Sequence, residues 1–269
     1  MTNKEMNERI NKIINDFLFP LEKHENNKSN LIATSILLRG FVTCNNDEVE
    51  KSSFLLTGIN PSFNRGQKYF PKGFDDPFTF REATSTAKPK EFWFKKKEQF
   101  GDLCNTMAYL DLFPIRETDQ RIFSQAFDPL NEFMAQILAV TQEAIEQMHP
   151  QLIVHANRRS LSYWGRNQGD WMGYEFERVD PTTFDDEVKK CITKERLKLF
   201  PFYRITGFSK HPQRINKEIY PSKTGLKDTF FMEYVMEYWA KEDRQMLYKP
   251  DEWKSILNWV LKQPRTPEQ

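Results

Sequence analysis

Two short polar turns, each fixed by a proline at the end of an apolar run, carry the side chains best suited to chemistry. Gly58-Ile59-Asn60-Pro61-Ser62 follows Phe54-Leu55-Leu56-Thr57, and Ser209-Lys210-His211-Pro212 follows Tyr203-Arg204-Ile205-Thr206-Gly207-Phe208. If both runs are strands of one parallel sheet, their ends place an amide and an imidazole on one rim. Ligands of open α/β sheets sit beyond that rim. Two further strand ends offer Asp111-Leu112-Phe113-Pro114-Ile115-Arg116 and His155-Ala156-Asn157. An amide both donates and accepts hydrogen bonds, whereas an ionised carboxylate can only accept. Each motif also has a plain structural reading. Asn60 can cap a turn before Pro61, His211 can sit in a surface turn, and Asp111 can cap its loop or pair with Arg116.

The elements that must position these groups follow from hydrophobic periodicity. Residues 4–18 predict an amphipathic helix, with a turn over residues 26–30, a short helix near Leu31–Leu38 and a strand around Gly40–Cys44. Phe54–Thr57, Met107–Phe113, Leu152–Val154 and Arg204–Phe208 predict strands, with an edge strand or hairpin near Tyr174–Val179. Asn131–Met148 predicts a long helix stopped by Pro150, and Arg158–Trp164 a short one ended by Gly165. Further helices are expected near Asp185–Lys198, over Leu226–Leu247 and over Trp253–Leu261. Residues 61–91 show no sustained period and contain Pro61, Pro71, Pro77 and Pro89, the pattern of a long functional loop. Helices alternating with short apolar strands imply an α/β fold, a three-layer α/β/α sandwich around a mostly parallel sheet. With no repeat or linker, 1–269 reads as one domain with an N-terminal helix and a C-terminal helical extension.

Charge is balanced, with 39 Lys+Arg against 38 Asp+Glu, so no global nucleic-acid signature exists. Locally, residues 204–227 hold six basic side chains against Glu218 alone, and residues 228–252 reverse the sign with seven acids against three bases. A cationic face suited to phosphate is one reading, and a solvated charged surface the other. Cys44, Cys104 and Cys191 are widely spaced, which disfavours a disulfide framework and a cysteine-based zinc or iron–sulfur site. His24, His149 and His155 lack ligand-spaced partners, so no metal and no cofactor are expected. Walker, dinucleotide-binding, zincin and nucleophile-elbow motifs are missing. A polar N-terminus and no long apolar segment predict a cytoplasmic chain that does not enter the membrane. A monomer is the simplest expectation.

Taken together, Gly58-Ile59-Asn60-Pro61, Asp111-Leu112-Phe113-Pro114 and Ser209-Lys210-His211-Pro212 resemble the motifs of the uracil-DNA glycosylase superfamily. The first looks like the Asn-Pro turn of its mismatch-specific and single-strand-selective branches, and the last like its Ser-x-His-Pro loop. Asp75-Asp76-Pro77 with Leu112–Thr118 is also similar to an uncharacterised bacterial family assigned to that fold. The resemblance spans about residues 50–215 and rests on some fifteen positions. It implies that Asn60 orients the attacking water and that His211 donates to a carbonyl of the leaving base. Asp111 would read the base edge where relatives use Asn; a carboxylate there suits an amino-bearing edge such as cytosine and repels the carbonyl of uracil. Gly58 and Ile59 would line the base pocket. Phe70, chosen over Phe63 and Tyr69, would stack on the extruded base.

By the same resemblance Ser62, Ser209, Lys210 and Lys223 would meet phosphate, with Arg214 and Ile215 at the wedge position that fills the vacated stack. Lys95-Lys96-Lys97 would extend the track or simply form an exposed helix face. The implied activity is that of a monofunctional DNA glycosylase acting on a damaged or modified base, in repair or in phage defence. Two alternatives stand beside it: a nucleic-acid or nucleotide-binding module that lost catalysis, and a hydrolase of free nucleosides.

Overall fold

Phe54, Leu55 and Leu56 are all buried, and so are Leu152, Ile153 and Val154. Strands apolar at every position need cover on both faces, which is the condition of a parallel sheet between two helical layers. A computed structural model describes residues 1–21, 28–43, 52–63, 80–89, 91–234 and 247–265. In it, helices α1 (Asn3–Leu21) and α2 (Lys28–Leu37) lead into strand β1 (Phe54–Gly58). Helices α3 (Phe80–Thr86) and α4 (Phe92–Phe100), then a 3-10 turn (Gly101–Asn105), precede β2 (Ala108–Asp111). Helices α5 (Gln120–Phe127) and α6 (Asn131–Met148) precede β3 (Leu152–His155). After a 3-10 helix (Arg158–Trp164) come β4 (Tyr174–Arg178), α7 (Asp186–Cys191), α8 (Lys194–Leu199) and β5 (Phe202–Phe208). Strand β6 (Phe230–Glu233) and helix α9 (Pro250–Leu261) complete the order.

The sheet order is β2-β1-β3-β6-β5-β4. Strands β2, β1, β3 and β6 are parallel neighbours, while β5 pairs antiparallel with both β6 and β4. Alternation splits the strands between two cores. Leu55, Ala108, Leu110, Ile153 and Phe231 join the cluster built with α1, α2, α5 and α6. Phe54, Leu56, Tyr109, Leu152, Val154, Phe230 and Met232 join the one built with α3, α4, α7, α8 and α9. The three-layer expectation therefore holds, and most helices fall where periodicity put them. Among the described residues no helix is long and apolar enough to cross a membrane.

The loop expected over residues 61–91 contains, in its described part, helix α3 over Phe80–Thr86. Three further readings are corrected. Gly40–Cys44 is no strand over its described part: Phe41 makes only an isolated bridge to Ile115. The helix expected over Asp185–Lys198 is two short helices, broken between Cys191 and Lys194. The third matters most. Leu226–Leu247 begins not as a helix but as a turn followed by β6, which lies beside β3 in the centre of the sheet. Phe230, Phe231 and Met232 are apolar in succession because both faces are covered, and such a run carries no period to separate strand from helix. Residues 235–246 of that span lie outside the described residues, as do Cys44, Asp75 to Pro77, Tyr69 and Phe70.

Candidate functional site

Strand direction decides which groups can meet. Phe202 lies opposite Met232 and Arg204 opposite Phe230, so β5 climbs as β6 descends. Past Arg204, β5 runs beyond the start of β6, with Asp228 N bonded to Ile205 O. The Ser209-Lys210-His211-Pro212 turn therefore leaves the sheet at its amino edge. Asn60 and Asp111 follow β1 and β2 at the carboxyl edge. The one-rim arrangement of Asn60 with His211 is corrected: a strand end fixes a rim only once its direction is known.

At the carboxyl edge, Gly58 is the register partner of Asp111. Tyr109, two residues before Asp111, projects from the same face of β2. Its hydroxyl donates to Asp111 Oδ1 at 2.8 Å. Gly58 is what admits this pair. A Cβ there would overlap Asp111 Oδ1 and stand 2.8 Å from the Tyr109 oxygen. The Tyr109 ring is stacked on Phe80 at 5.7 Å and meets the Trp93 ring edge-on at 5.0 Å, so the hydroxyl is held by packing. Asp111 is half-buried, with its carboxyl against the Tyr109 hydroxyl and Gly58. Burial pushes that carboxyl up to about 7, against the hydrogen bond from Tyr109 that lowers it. The chain steps from β1 to β2 on one side and then to β3 on the other, so strand order reverses between β1 and β3, on the other side of β1 from Asp111.

Asn60 serves the turn in the way its structural reading anticipated. Its Nδ2 lies 2.7 Å from Glu117 O, 3.0 Å from Ile115 O and 3.2 Å from Pro61 O. Those contacts staple the exit of β1 to the loop after β2. Oδ1 accepts from Gln120 Nε2 at 2.7 Å and, as a carbonyl oxygen, can take a second donor. Gln120 Oε1 is buried with no hydrogen-bond partner among the described residues. Beside it Arg39 pairs with Glu117 at 2.6 Å, and the Phe63 ring lies between the Arg39 and Arg116 guanidiniums at 4.9 and 5.1 Å. Phe63 is thus engaged in its own packing. The Ile59 side chain belongs to the core and its carbonyl accepts from Phe113 N, so Ile59 presents no side chain to a base. Ser62 is exposed on this rim.

His155, at the end of β3, is fully buried. Its Nε2 faces the Asn157 carbonyl and so carries the proton, leaving Nδ1 to accept from Thr57 Oγ1 at 3.2 Å. Burial drives its pKa down to about 4. This imidazole holds β1 to β3 in its neutral form.

The amino edge is built differently. Ser209 Oγ donates to Gly169 O and accepts from His211 N. His211 Nδ1 accepts from Gln213 N at 3.2 Å, so the neutral ring carries its proton on Nε2. Arg214, expected at the wedge or on phosphate, is 4% exposed. Its Nη2 donates to Tyr220 O and Pro221 O, and its guanidinium lies 4.4 Å from the Phe208 ring centre. Ile215 packs against the core and bonds to Trp171 O through its backbone. Both wedge assignments are corrected, because the loop folds these side chains inward. Lys210 and Lys223 are exposed. Beneath them, buried Glu146 accepts from Thr224 Oγ1 at 2.6 Å, Tyr174 Oη at 2.7 Å and Gly225 N at 2.9 Å. Lys96, read as part of an exposed run, is 1% exposed; its Nζ lies 5.1 Å from the Phe92 ring centre, and burial lowers its pKa to about 7.

Sequence reasoning passed over Tyr109 and Gln120. The i, i+2 spacing of Tyr109 and Asp111 within a strand was the available signal for the first; Gln120 left none, since its partner is distant in sequence. Among the described residues no group of three His, Cys, Asp or Glu side chains could hold a metal ion. No protein-family model, curated protein or solved structure matches the chain.

Proposed function

We propose that the chain hydrolyses the N-glycosidic bond of a nucleobase at the carboxyl edge of the sheet, as a monofunctional DNA glycosylase of uracil-DNA-glycosylase-like fold. One observation carries this reading: the Asp111 carboxyl, tied to Tyr109 and resting on Gly58, stands at the ligand position of the parallel strands. Asp111 would engage the base edge. Asn60 Oδ1, held by Gln120, would take a hydrogen bond from the attacking water and aim it at the sugar carbon. Glycosidic cleavage leaves negative charge on the base, and a donor directed at that charge is worth about 10²–10³ in rate. His211 stands at the other edge, so the neutral form of Asp111 takes the donor's part, as a carboxylic acid kept protonated by its surroundings can.

The test is release of bases from DNAs of differing modification, scored as alkali-labile abasic sites. Asp111→Ala and Asn60→Ala should abolish release while the fold persists, and His211→Ala should leave it intact. DNA that is bound while every base stays in place would sink the enzyme reading in favour of a binding module. Hydrolysis of free nucleosides is a second reading. It is favoured by the position of the 209–225 loop with Lys210 and Lys223 at the edge away from Asp111. A free-nucleoside enzyme would show no steep salt dependence of substrate affinity.

A further inference from the structure

We infer that Asp111 is a proton-switched reader of the base edge, with Tyr109 as the positioning residue that decides which carboxyl oxygen reads. Oδ2 donates to a ring carbonyl when the carboxyl is neutral and accepts from an exocyclic amino group when it is ionised. This rests on the site proposed above and adds its specificity.

The geometry begins with Tyr109. Its hydroxyl proton lies toward Oδ1, so Oδ1 is already an acceptor and a proton added to the carboxyl goes to Oδ2. A neutral carboxylic acid then presents one acceptor and one donor, the same pair as an amide. Loss of the proton converts the donor position into an acceptor without moving a heavy atom. Gly58 keeps the carboxyl in place by having no Cβ to displace it, and the Phe80 and Trp93 rings keep the Tyr109 hydroxyl in place.

The charged surroundings allow the switch to work near neutrality. Around the site, α3 carries Arg81 and Glu82, α4 carries Lys95, Lys96, Lys97 and Glu98, and β3 ends in His155. Arg39 just after α2 and Glu117 after β2 pair with each other, and Arg116 lies against Phe63. Among the described residues, burial raises the Asp111 proton affinity, the Tyr109 hydrogen bond opposes it, and no charged neighbour adds to the shift. A carboxylate held by a cation would stay ionised and could never donate.

The same single-stranded oligonucleotide, carrying one uracil or one cytosine, is assayed for binding and for abasic-site formation from about pH 5.5 to about pH 8.5. Neither base changes its own protonation over that range. Binding of the uracil strand should weaken, and binding of the cytosine strand tighten, each by more than about tenfold with opposite profiles crossing near the carboxyl's midpoint, and release of uracil should fall over the same range. Asp111→Asn should favour uracil with a flat profile. Tyr109→Phe should move the crossing to higher pH, because the lost hydrogen bond favoured the ionised form. Infrared difference spectra of the protein against Asp111→Asn read the carboxyl directly. A midpoint in the ordinary carboxylate range, near 4, overturns the switch whatever the substrate does. Asp111-dependent release with flat profiles overturns the switch and leaves the site standing. Neither release nor binding of either base at any pH, with Asp111→Asn unchanged from the parent, overturns the site and the switch together.

Discussion

The two edges of the sheet each hold a carboxyl, Glu146 buried and Asp111 half-buried, and they are built for opposite ends. At the amino edge Glu146 accepts from Thr224, Tyr174 and Gly225, and burial raises its pKa against those bonds. At the carboxyl edge Asp111 accepts from Tyr109 alone among the described residues. A carboxyl satisfied on all sides locks a loop, and one left with capacity can bond to something else. His211, Ser209 and Arg214 sit in the locked region, and their polar atoms bond mostly to their own loop and its neighbours. Their motif looks chemical, yet the structure uses it as a fastening.

The contrast is broken or sharpened first by paired substitutions. Asp111→Ala should cost about 10²–10³ in base release, while His211→Ala should stay within about twofold of the parent. Comparable losses in both would dissolve the distinction between the edges. Gly58→Ala should approach the Asp111→Ala loss in activity, with about 1–3 kcal/mol of destabilisation in urea melts, since its Cβ must displace the carboxyl or the tyrosine. Glu146→Ala should reverse the balance. About 2–4 kcal/mol of stability goes as three buried donors lose their acceptor, with activity per folded molecule unchanged.

A smaller effect separates the two edges by pH. The folded-state pKa of Asp111, about 7, lies above its unfolded value near 4, so the folded chain holds that proton more tightly. The stabilisation this gives is complete below about pH 4 and is lost as pH rises through about 7. Asp111→Asn should therefore stabilise the protein by about 1–3 kcal/mol at pH 8 relative to the parent and hardly at all at pH 4, read from denaturant midpoints. His155 works with the opposite sign. Its pKa is depressed to about 4, so its contribution is whole above about pH 6.5 and fades as pH falls through about 4. The smallest effect belongs to the exposed lysines. If DNA phosphates dock at the amino edge, Lys210→Ala with Lys223→Ala should reduce the salt slope of binding by about 2 and leave nucleoside hydrolysis unaltered.

Much of the fold was legible because long periodic segments report themselves. Asn131–Met148 is a helix over the range its apolar spacing gives, and Phe54–Gly58 and Leu152–His155 are strands where short apolar runs end in turns. The largest misreading of an element has a local cause. Phe230–Glu233 is short and flanked by amphipathic sequence, and its strand state is set by the neighbours that cover it on both faces. Of the site, Gly58, Asn60 and Asp111 could be picked out from residue type at strand ends. Tyr109 and Gln120 could not be ranked, because a hydrogen-bond partner is a matter of position in space.

Sequence alone determined the three-layer α/β character, most helices, and the presence of an amide and a carboxyl at the ends of β1 and β2. Period, turn residues and burial patterning are local, and local chemistry enforces them. Only the tertiary structure decided that β5 runs against its neighbours, which sends His211 to the far edge and leaves Asp111 with Gly58 and Tyr109. A strand's residues read alike in either direction of pairing; its direction is settled by the chain path through β4, β5 and β6 and by the packing that path permits.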